Sequence, residues 1–472
     1  MGTLVKDKAS KLAKFMAAEN IKLDDAATVL DHLSRQGKVG DESAEFLFKF
    51  DCHAWDGVVA LKKAIDKVFG FSFGESTFSF FAGEKLSQMV EIQLGPDEKI
   101  TVPWGKLTLP GVDGWIEPDM QNNMFILSCS IKRRHEEQVK ELAAEMERIL
   151  KEESIYRGKA VRLTWVERMF EESILDPQFL QLAGLDESQL ILNQSVREAI
   201  EISLFTPVEK RQEVKDAGIE WRRGVLLSGS YGTGKTLTAV ITAAKAQAAG
   251  ITFAMCDSDS LGRALQFARS YTPAIVFCED VDESLLVHRT TKVNNMLNEL
   301  DGVSSKEAEV MVVFTTNSAE SITKAALRPG RCDAVIEFQL PDARTTEALV
   351  RAYAGSALTA ESDIAAAVSG LVGNSPAIIA EATKRARLAA IRAGVKLITP
   401  ELLAVATRTM QGQIELLRRP EQAPPSALEA AANVVAHYLT HALAQASRQP
   451  TVQSAVGNGK EGTSIPVAAP AM

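Results

Sequence analysis

The sequence predicts an α/β fold, in which a parallel sheet is followed by a small helical subdomain and preceded by an α+β domain. Three observations predict it. Between residues 188 and 343, short apolar runs such as Val225–Leu227 and Ile275–Cys278 alternate with helical patterns, the rhythm of βαβ units. Residues 344–411 are Ala-rich and helical in pattern. Residues 1–165 mix amphipathic helical stretches with alternating, strand-like ones. At 472 residues the chain exceeds what one core holds, and a prior of one domain per ~150 residues gives about three units.

Taken in order, "LVKDKASKLAKFMA" (4–17) places Val5, Leu12, Phe15 and Met16 at helical spacing beside four lysines. It reads either as a helix packed on its own domain or as a membrane-surface helix. Helical patterns follow at 24–35, opened by Asp24 or Asp25, and at 54–68. Six phenylalanines crowd the stretch from Phe69 to Phe81, either filling a small core or forming a substrate surface. "MVEIQL", "KITVPWGKLTL", "NMFILSCSI" and "KAVRLTW" read as strands, with "GPDE" (95–98) as a hairpin turn. Before the last of these, Val139, Leu142, Met146, Ile149 and Leu150 mark one face of a helix whose charges form the solvated side. Residues 166–187 read as a linker. After 411, residues 412–446 read as a linker and a C-terminal helix at 427–446 capped by Ser426 and Glu429, and 447–472 as a low-complexity tail.

Composition excludes several classes. Lys and Arg total 52 against 61 Asp and Glu, a net charge of −9, which disfavours a dedicated nucleic-acid binder. Five scattered cysteines, Cys52, Cys129, Cys256, Cys278 and Cys332, show no zinc or disulfide spacing, and a cytoplasmic setting is the expectation. No apolar run is long enough to span a membrane, the N-terminus lacks a signal-peptide core, and Lys6 stands where an acylation motif after Gly2 wants Ser or Thr.

The most specific motif is Gly229-x-x-x-x-Gly234-Lys235-Thr236, placed between an apolar run and a helical pattern. Such a loop turns its backbone N–H groups inward around a phosphate, while the following helix aims its positive end at the same anion. Ser230, Tyr231, Gly232, Thr233, Gly234, Lys235, Thr236 and Leu237 are the candidate nucleotide contacts. Lys235 would reach the β- and γ-phosphates of ATP, and the Thr236 hydroxyl would ligate Mg²⁺.

Three further segments, with the phosphate loop, resemble an AAA-type ATPase module over residues 188–411. "LRPGRCD" (327–333) is similar to the family's second region of homology, which implies that Arg328 and Arg331 reach a neighbouring subunit's nucleotide. "VMVVFTTNS" (310–318) is similar to the sensor-1 strand, which makes Asn317 the residue that orients the attacking water. "MLNELDGV" (296–303) and "AGIEWRRGVLL" (217–227) fit as well. The resemblance implies a Mg²⁺-dependent ATPase, chaperone-like, assembling as a homo-hexamer because arginines act in trans, and working on a protein client bound by the N-terminal domain. The alternatives are a nucleotide-gated assembly scaffold with slow hydrolysis and a nucleic-acid motor.

Two departures stand out. Residues 253–277 are shorter than the family's equivalent and lack its aromatic pore loop, leaving Leu261-Gly262 as the only remnant. "CEDVD" (278–282) reverses the usual Asp-Glu order. By alignment Glu279 takes the metal-side place, next to Thr236, and Asp280 the water-side place, with Asp282 a helix cap or interface residue. Both features resemble the Bcs-type branch, whose mitochondrial member moves a folded Rieske iron–sulfur protein across a membrane. The N-terminal 165 residues do not match that member.

Overall fold

The computed structural model describes residues 41–70, 88–121, 124–166, 174–281, 309–317, 332–358 and 363–418. Segments 4–17, 24–35, 71–81 and 296–303, with Asp282, Arg328, Arg331, the 426–446 helix and the tail, lie outside the described residues.

The alternation read in the N-terminal strands becomes a three-stranded antiparallel sheet. Strand β1 (Ser43–His53) leads into helix α1 (Ala54–Phe69), then β2 (Gln88–Gln93), β3 (Lys99–Trp104), β4 (Gly114–Gln121), β5 (Met124–Lys132) and helix α2 (Glu136–Glu152). The sheet order is β1-β5-β4, while β2 and β3 form a separate hairpin. That hairpin closes at the expected turn, where Leu94 N donates to Glu98 O at 2.8 Å. On β5, Phe125, Leu127, Cys129 and Ile131 are buried at a period of two, and on α2 Val139, Leu142, Met146 and Ile149 are buried at helical spacing.

The second sheet has seven strands. To β6 (Ala160–Val166) and β7 (Ile174–Phe179) it adds β8 (Gly224–Ser228), β9 (Thr252–Asp257), β10 (Ala274–Glu279), β11 (Val310–Thr316) and β12 (Ala334–Glu337), in the order β12-β8-β11-β10-β9-β6-β7. Every pairing is parallel except β6 with β7. Between these strands run α3 (Gln194–Ile200), α4 (Lys235–Ala248), which follows β8, and α5 (Leu261–Ser270), which follows β9. The sequence boundary at 165 and the linker at 166–187 differ from this arrangement, since β6 is hydrogen-bonded to β9 and the expected linker carries β7. The reason is packing: Val161, Leu163 and Leu175 are buried in the same core as Ala254 and Val276. Pro177 obscures β7 as a strand in the sequence, but β7 is the sheet's last strand, where a missing N–H leaves no ladder bond unmade.

Alternation divides the buried sheet residues between two cores. One face, with Val225, Leu227, Met255 and Phe277, packs against α3 and α4. The other, with Leu226, Ala254, Val276 and Val312, shares a continuous core with α5, α1, α2 and the N-terminal sheet. The N-terminal elements therefore cover one face of the parallel sheet directly.

A buried polar cluster fixes that contact. His53 N donates to the Tyr271 hydroxyl at 2.8 Å, and His53 Nε2 donates to Leu175 O at 2.8 Å, a tautomer set because Nδ1 accepts from Trp55 N. Asp56 accepts from Ser154 Oγ (2.6 Å), from Ile155 N (3.0 Å) and from Tyr271. Arg157 donates to the carbonyls of Thr272 and Ser270 at 2.9 and 3.1 Å. Tyr271 and the two carbonyls bonded by Arg157 lie where the chain passes from α5 to β10.

The helical subdomain contributes α6 (Ala343–Ala354), α7 (Pro376–Arg392) and α8 (Pro400–Arg418). The first compact unit ends at Met410. Of the second, beginning at Gln411, the described residues are the last turns of α8. Among the described residues no helix is long and apolar enough to cross a membrane. All five cysteines are buried and free.

Candidate active site

The phosphate loop leaves β8 and ends as α4 begins. Gly229 N donates to Thr316 O at 3.2 Å, which ties the loop to β11. Gly229 and Gly234 have φ of 151° and 108°, a region that disfavours side chains, and a Cβ at Gly229 would lie 2.7 Å from Phe338 O. The loop therefore needs glycine both for its curvature and for its approach to the segment after β12. Thr233 Oγ1 donates to Ser230 O at 2.8 Å and fixes the inner curve.

At the ends of β8, β10 and β11 lies a cavity of about 360 Å³. Tyr231, Gly232, Thr233, Gly234, Lys235, Thr236 and Leu237 line it, together with Asp280 and Asn317. Ser230 stands behind it, its carbonyl accepting from Lys235 Nζ at 3.0 Å. The same ammonium donates to Gly229 O at 2.6 Å and to Asn317 Oδ1 at 2.9 Å. Asn317 Nδ2 in turn donates to Asp280 Oδ1 at 3.0 Å. The structure thus joins Lys235, Asn317 and Asp280 in one chain, with the amide oriented by a cation on one side and a carboxylate on the other.

Asp280 is held there by its backbone. Its φ is 46°, the one left-handed non-glycine residue among those described, and its N–H donates to Thr315 Oγ1 at 2.9 Å. Val281 N donates to Thr315 O, so the turn after β10 is pinned to β11. Glu279, expected on the metal side, does not line the cavity. It accepts from Arg162 Nη2 on β6 at 2.8 Å. The physical reason is that partner: Glu279 shares a sheet face with Phe277, Met255 and Arg162, the guanidinium draws its carboxylate along that face, and the left-handed turn re-aims the next residue.

Several wall residues carry no sequence motif. Gln189–Leu192 form one side, and Leu349 and Tyr353 on α6 with Pro376 and Ala377 on α7 form the other. Leu349 and Tyr353 stand four apart on one helix face, a spacing visible in sequence but without a signal that the face meets a cavity. The loop also touches α7, since a Cβ on Gly232 would lie 3.0 Å from Ala377 Cβ.

The pore-loop remnant is structural. After β9 a single 3-10 turn (Ser258–Ser260) leads straight into α5, and Leu261 is 1% exposed in the core.

Residues 225–340 match the model of the ATPase family associated with various cellular activities (AAA). Residues 225–340 carry an AAA ATPase domain. It is 32% identical over 204 residues to the 26S proteasome regulatory subunit 4 homolog B of Arabidopsis thaliana, covering 39% of this chain and 44% of that one. It is 30% identical over 273 residues to an ATP-dependent zinc metalloprotease FtsH 3 of Sphaerobacter thermophilus, covering 53% and 52%. The chain thus spans about half the length of the curated relatives it matches.

The site fits Mg²⁺–ATP on its own chemistry. Its cradle excludes a Cβ, its lysine already satisfies oxygen acceptors at phosphate-like distances, and Thr236 and Asp280 present oxygen donors on one cavity. A magnesium ion takes few protein ligands and draws the rest from water and phosphate.

Proposed function

We propose that this chain is an ATP-hydrolysing, ring-forming AAA protein that remodels or moves a protein client recognised through its N-terminal elements. The observation that carries the hydrolytic reading is the Lys235–Asn317–Asp280 chain around the glycine loop, since phosphoryl transfer asks a protein chiefly for positioning and charge stabilisation. The loop's N–H groups and Lys235 bind the phosphates, the ammonium exchanging its carbonyl acceptors for phosphate oxygens. Thr236 and Asp280 would hold Mg²⁺, which supplies charge neutralisation at the phosphates. Asp280, oriented by Asn317, accepts a hydrogen bond from the attacking water. Tyr353 and Leu349 wall the site from the helical side.

Arg328 and Arg331 belong to the proposal as residues that complete a neighbour's site, contributing roughly 10³–10⁵ in rate. A hexamer, a cytoplasmic setting and a Bcs-type motor are further parts of it. The buried Leu261 supports a ring that does not grip its client by an aromatic loop at this position. Names of relatives as a proteasome regulatory subunit and an ATP-dependent protease support a protein client.

The test is substrate trapping. Asp280→Asn should retain nucleotide binding, lose turnover by about 10²-fold or more, and retain a protein partner on the ATP-loaded assembly. Turnover undiminished in Asp280→Asn would overturn the catalytic assignment. ATP-dependent assembly with turnover near background in the wild type would point to the scaffold instead.

A further inference from the structure

The strand that the sequence places outside the ATPase module reaches into its carboxylate pair. Arg162 on β6 lies opposite Met255 on β9, which lies opposite Phe277 on β10. This lateral row puts all three on one face, and Glu279, two residues beyond Phe277, shares it. The guanidinium crosses the row, with Nη2 3.1 Å from Met255 Sδ and 2.8 Å from Glu279 Oε2. Asp257, directly opposite Glu279 on β9, offers no counter-charge, and its carboxylate accepts from Ser260 N at 2.9 Å. Arg162 is the cation paired with Glu279, whose side chain is 19% exposed.

We propose that Arg162 is a positioning residue which holds Glu279 off the nucleotide site and thereby leaves Asp280 as the carboxylate that serves metal and water. The inference rests on the ATPase reading. Glu279 lies on the sheet face that α4 covers, and the first turn of α4 carries Thr236. Glutamate has three side-chain torsions, so without its partner the rotamers towards Thr236 open. A second carboxylate reaching the metal position would bind Mg²⁺ more tightly and pull it from the place that Asp280 and the phosphates define. The added strand would thus do for the reversed pair what side-chain length does in the ordinary order.

The experiment is a Mg²⁺ titration of the full chain with a fluorescent, slowly hydrolysed ATP analogue, read as bound nucleotide, with ATP turnover measured alongside. Arg162→Gln should lower the Mg²⁺ concentration for half-saturation by about fivefold or more and reduce turnover by about tenfold. Arg162→Gln with Glu279→Gln should reverse both effects, a rescue that a merely structural Arg162 would not show. Arg162→Lys should stay within about threefold of wild type in both readouts. If Arg162→Gln does not fold, Glu279→Gln alone decides. It should move the Mg²⁺ requirement by less than about threefold, whereas a rise of about tenfold or more would mean that Glu279 is the metal-side group in the wild type and overturn the proposal. An unchanged Mg²⁺ requirement in Arg162→Gln, or a shift that persists in the double variant, would overturn it equally. A wild-type chain that binds no analogue would overturn the nucleotide reading and this inference together.

Discussion

Acid should loosen the contact between the N-terminal elements and the parallel sheet, and His53 is the reason. The ring is 4% exposed, its Nδ1 accepts from Trp55 N, and its Nε2–H is spent on Leu175 O. Burial lowers its pKa from 6.5 to about 4, only partly offset by the bond to Leu175. A histidine depressed in the fold contributes stability that is fully present above its unfolded value, and is lost as pH falls towards the folded one. Across that window the loss amounts to about 3 kcal/mol, of which about 2 kcal/mol is gone by pH 5. Asp56 works in the other direction. Burial raises its pKa, so its ionised form costs stability near neutrality, and acidification through the folded value relieves that cost. Asp56 is common to the wild type and His53→Gln, so a comparison of the two isolates the histidine. The assay is urea unfolding at a series of pH values from 7 to 5, followed by indole fluorescence, because Trp55 lies 6.3 Å from the His53 ring and 5.6 Å from the Trp104 ring. The wild type should lose about 2 kcal/mol more than His53→Gln between those limits. Parallel stability curves for the two proteins would refute the reasoning.

Tyr271→Phe leaves the His53 N–H without its acceptor and Asp56 with one donor fewer, and should cost about 2 kcal/mol in the same urea assay. With Asp56→Asn added, the total should be less than additive, because the two side chains share one bond. Gly229→Ala forces a Cβ to 2.7 Å from Phe338 O at a φ of 151°, and should weaken binding of a fluorescent ATP analogue by about tenfold or more, with the far-ultraviolet dichroism unchanged.

The parallel sheet was legible in the sequence because its strands are buried on both faces, so each appears as an unbroken apolar run next to a helical pattern. The phosphate loop was legible because its chemistry is local: glycines, lysine and threonine at fixed spacing do their work within eight residues. Arg162 and His53 carry no such signal. Their partners, Glu279 and Tyr271, lie 117 and 218 positions away, and an arginine in "KAVRLTW" or a histidine before a helix looks like any other. The same holds for the border between the N-terminal elements and the ATPase module. Residues 166–187 have the local look of a linker, yet they carry β7. Strands pair by register and core, and β6 offers Val161 and Leu163 to the face that the sheet needed covered.

The reversed carboxylate order has a backbone cause that only the structure exposes. The residue after β10 must turn from the strand towards the cavity, and it does so at a φ of 46° while its N–H is fixed to Thr315. Left-handed backbone is costly for most side chains, and aspartate and asparagine are the non-glycine residues that tolerate it best. Asp at 280 therefore meets a backbone demand and a chemical one together. Glutamate there would have to bear the strain and would carry its carboxylate about 1.5 Å further from the Cα, past the point where Asn317 Nδ2 meets the Asp280 oxygen. Position 279 is under no such constraint: it is ordinary strand, and a longer side chain suits it because Arg162 stands a full strand away beyond Met255. In the pair "ED" each residue thus fits its own backbone, with Thr315 on the Asp280 N–H, Asn317 on the Asp280 carboxylate and Lys235 on Asn317.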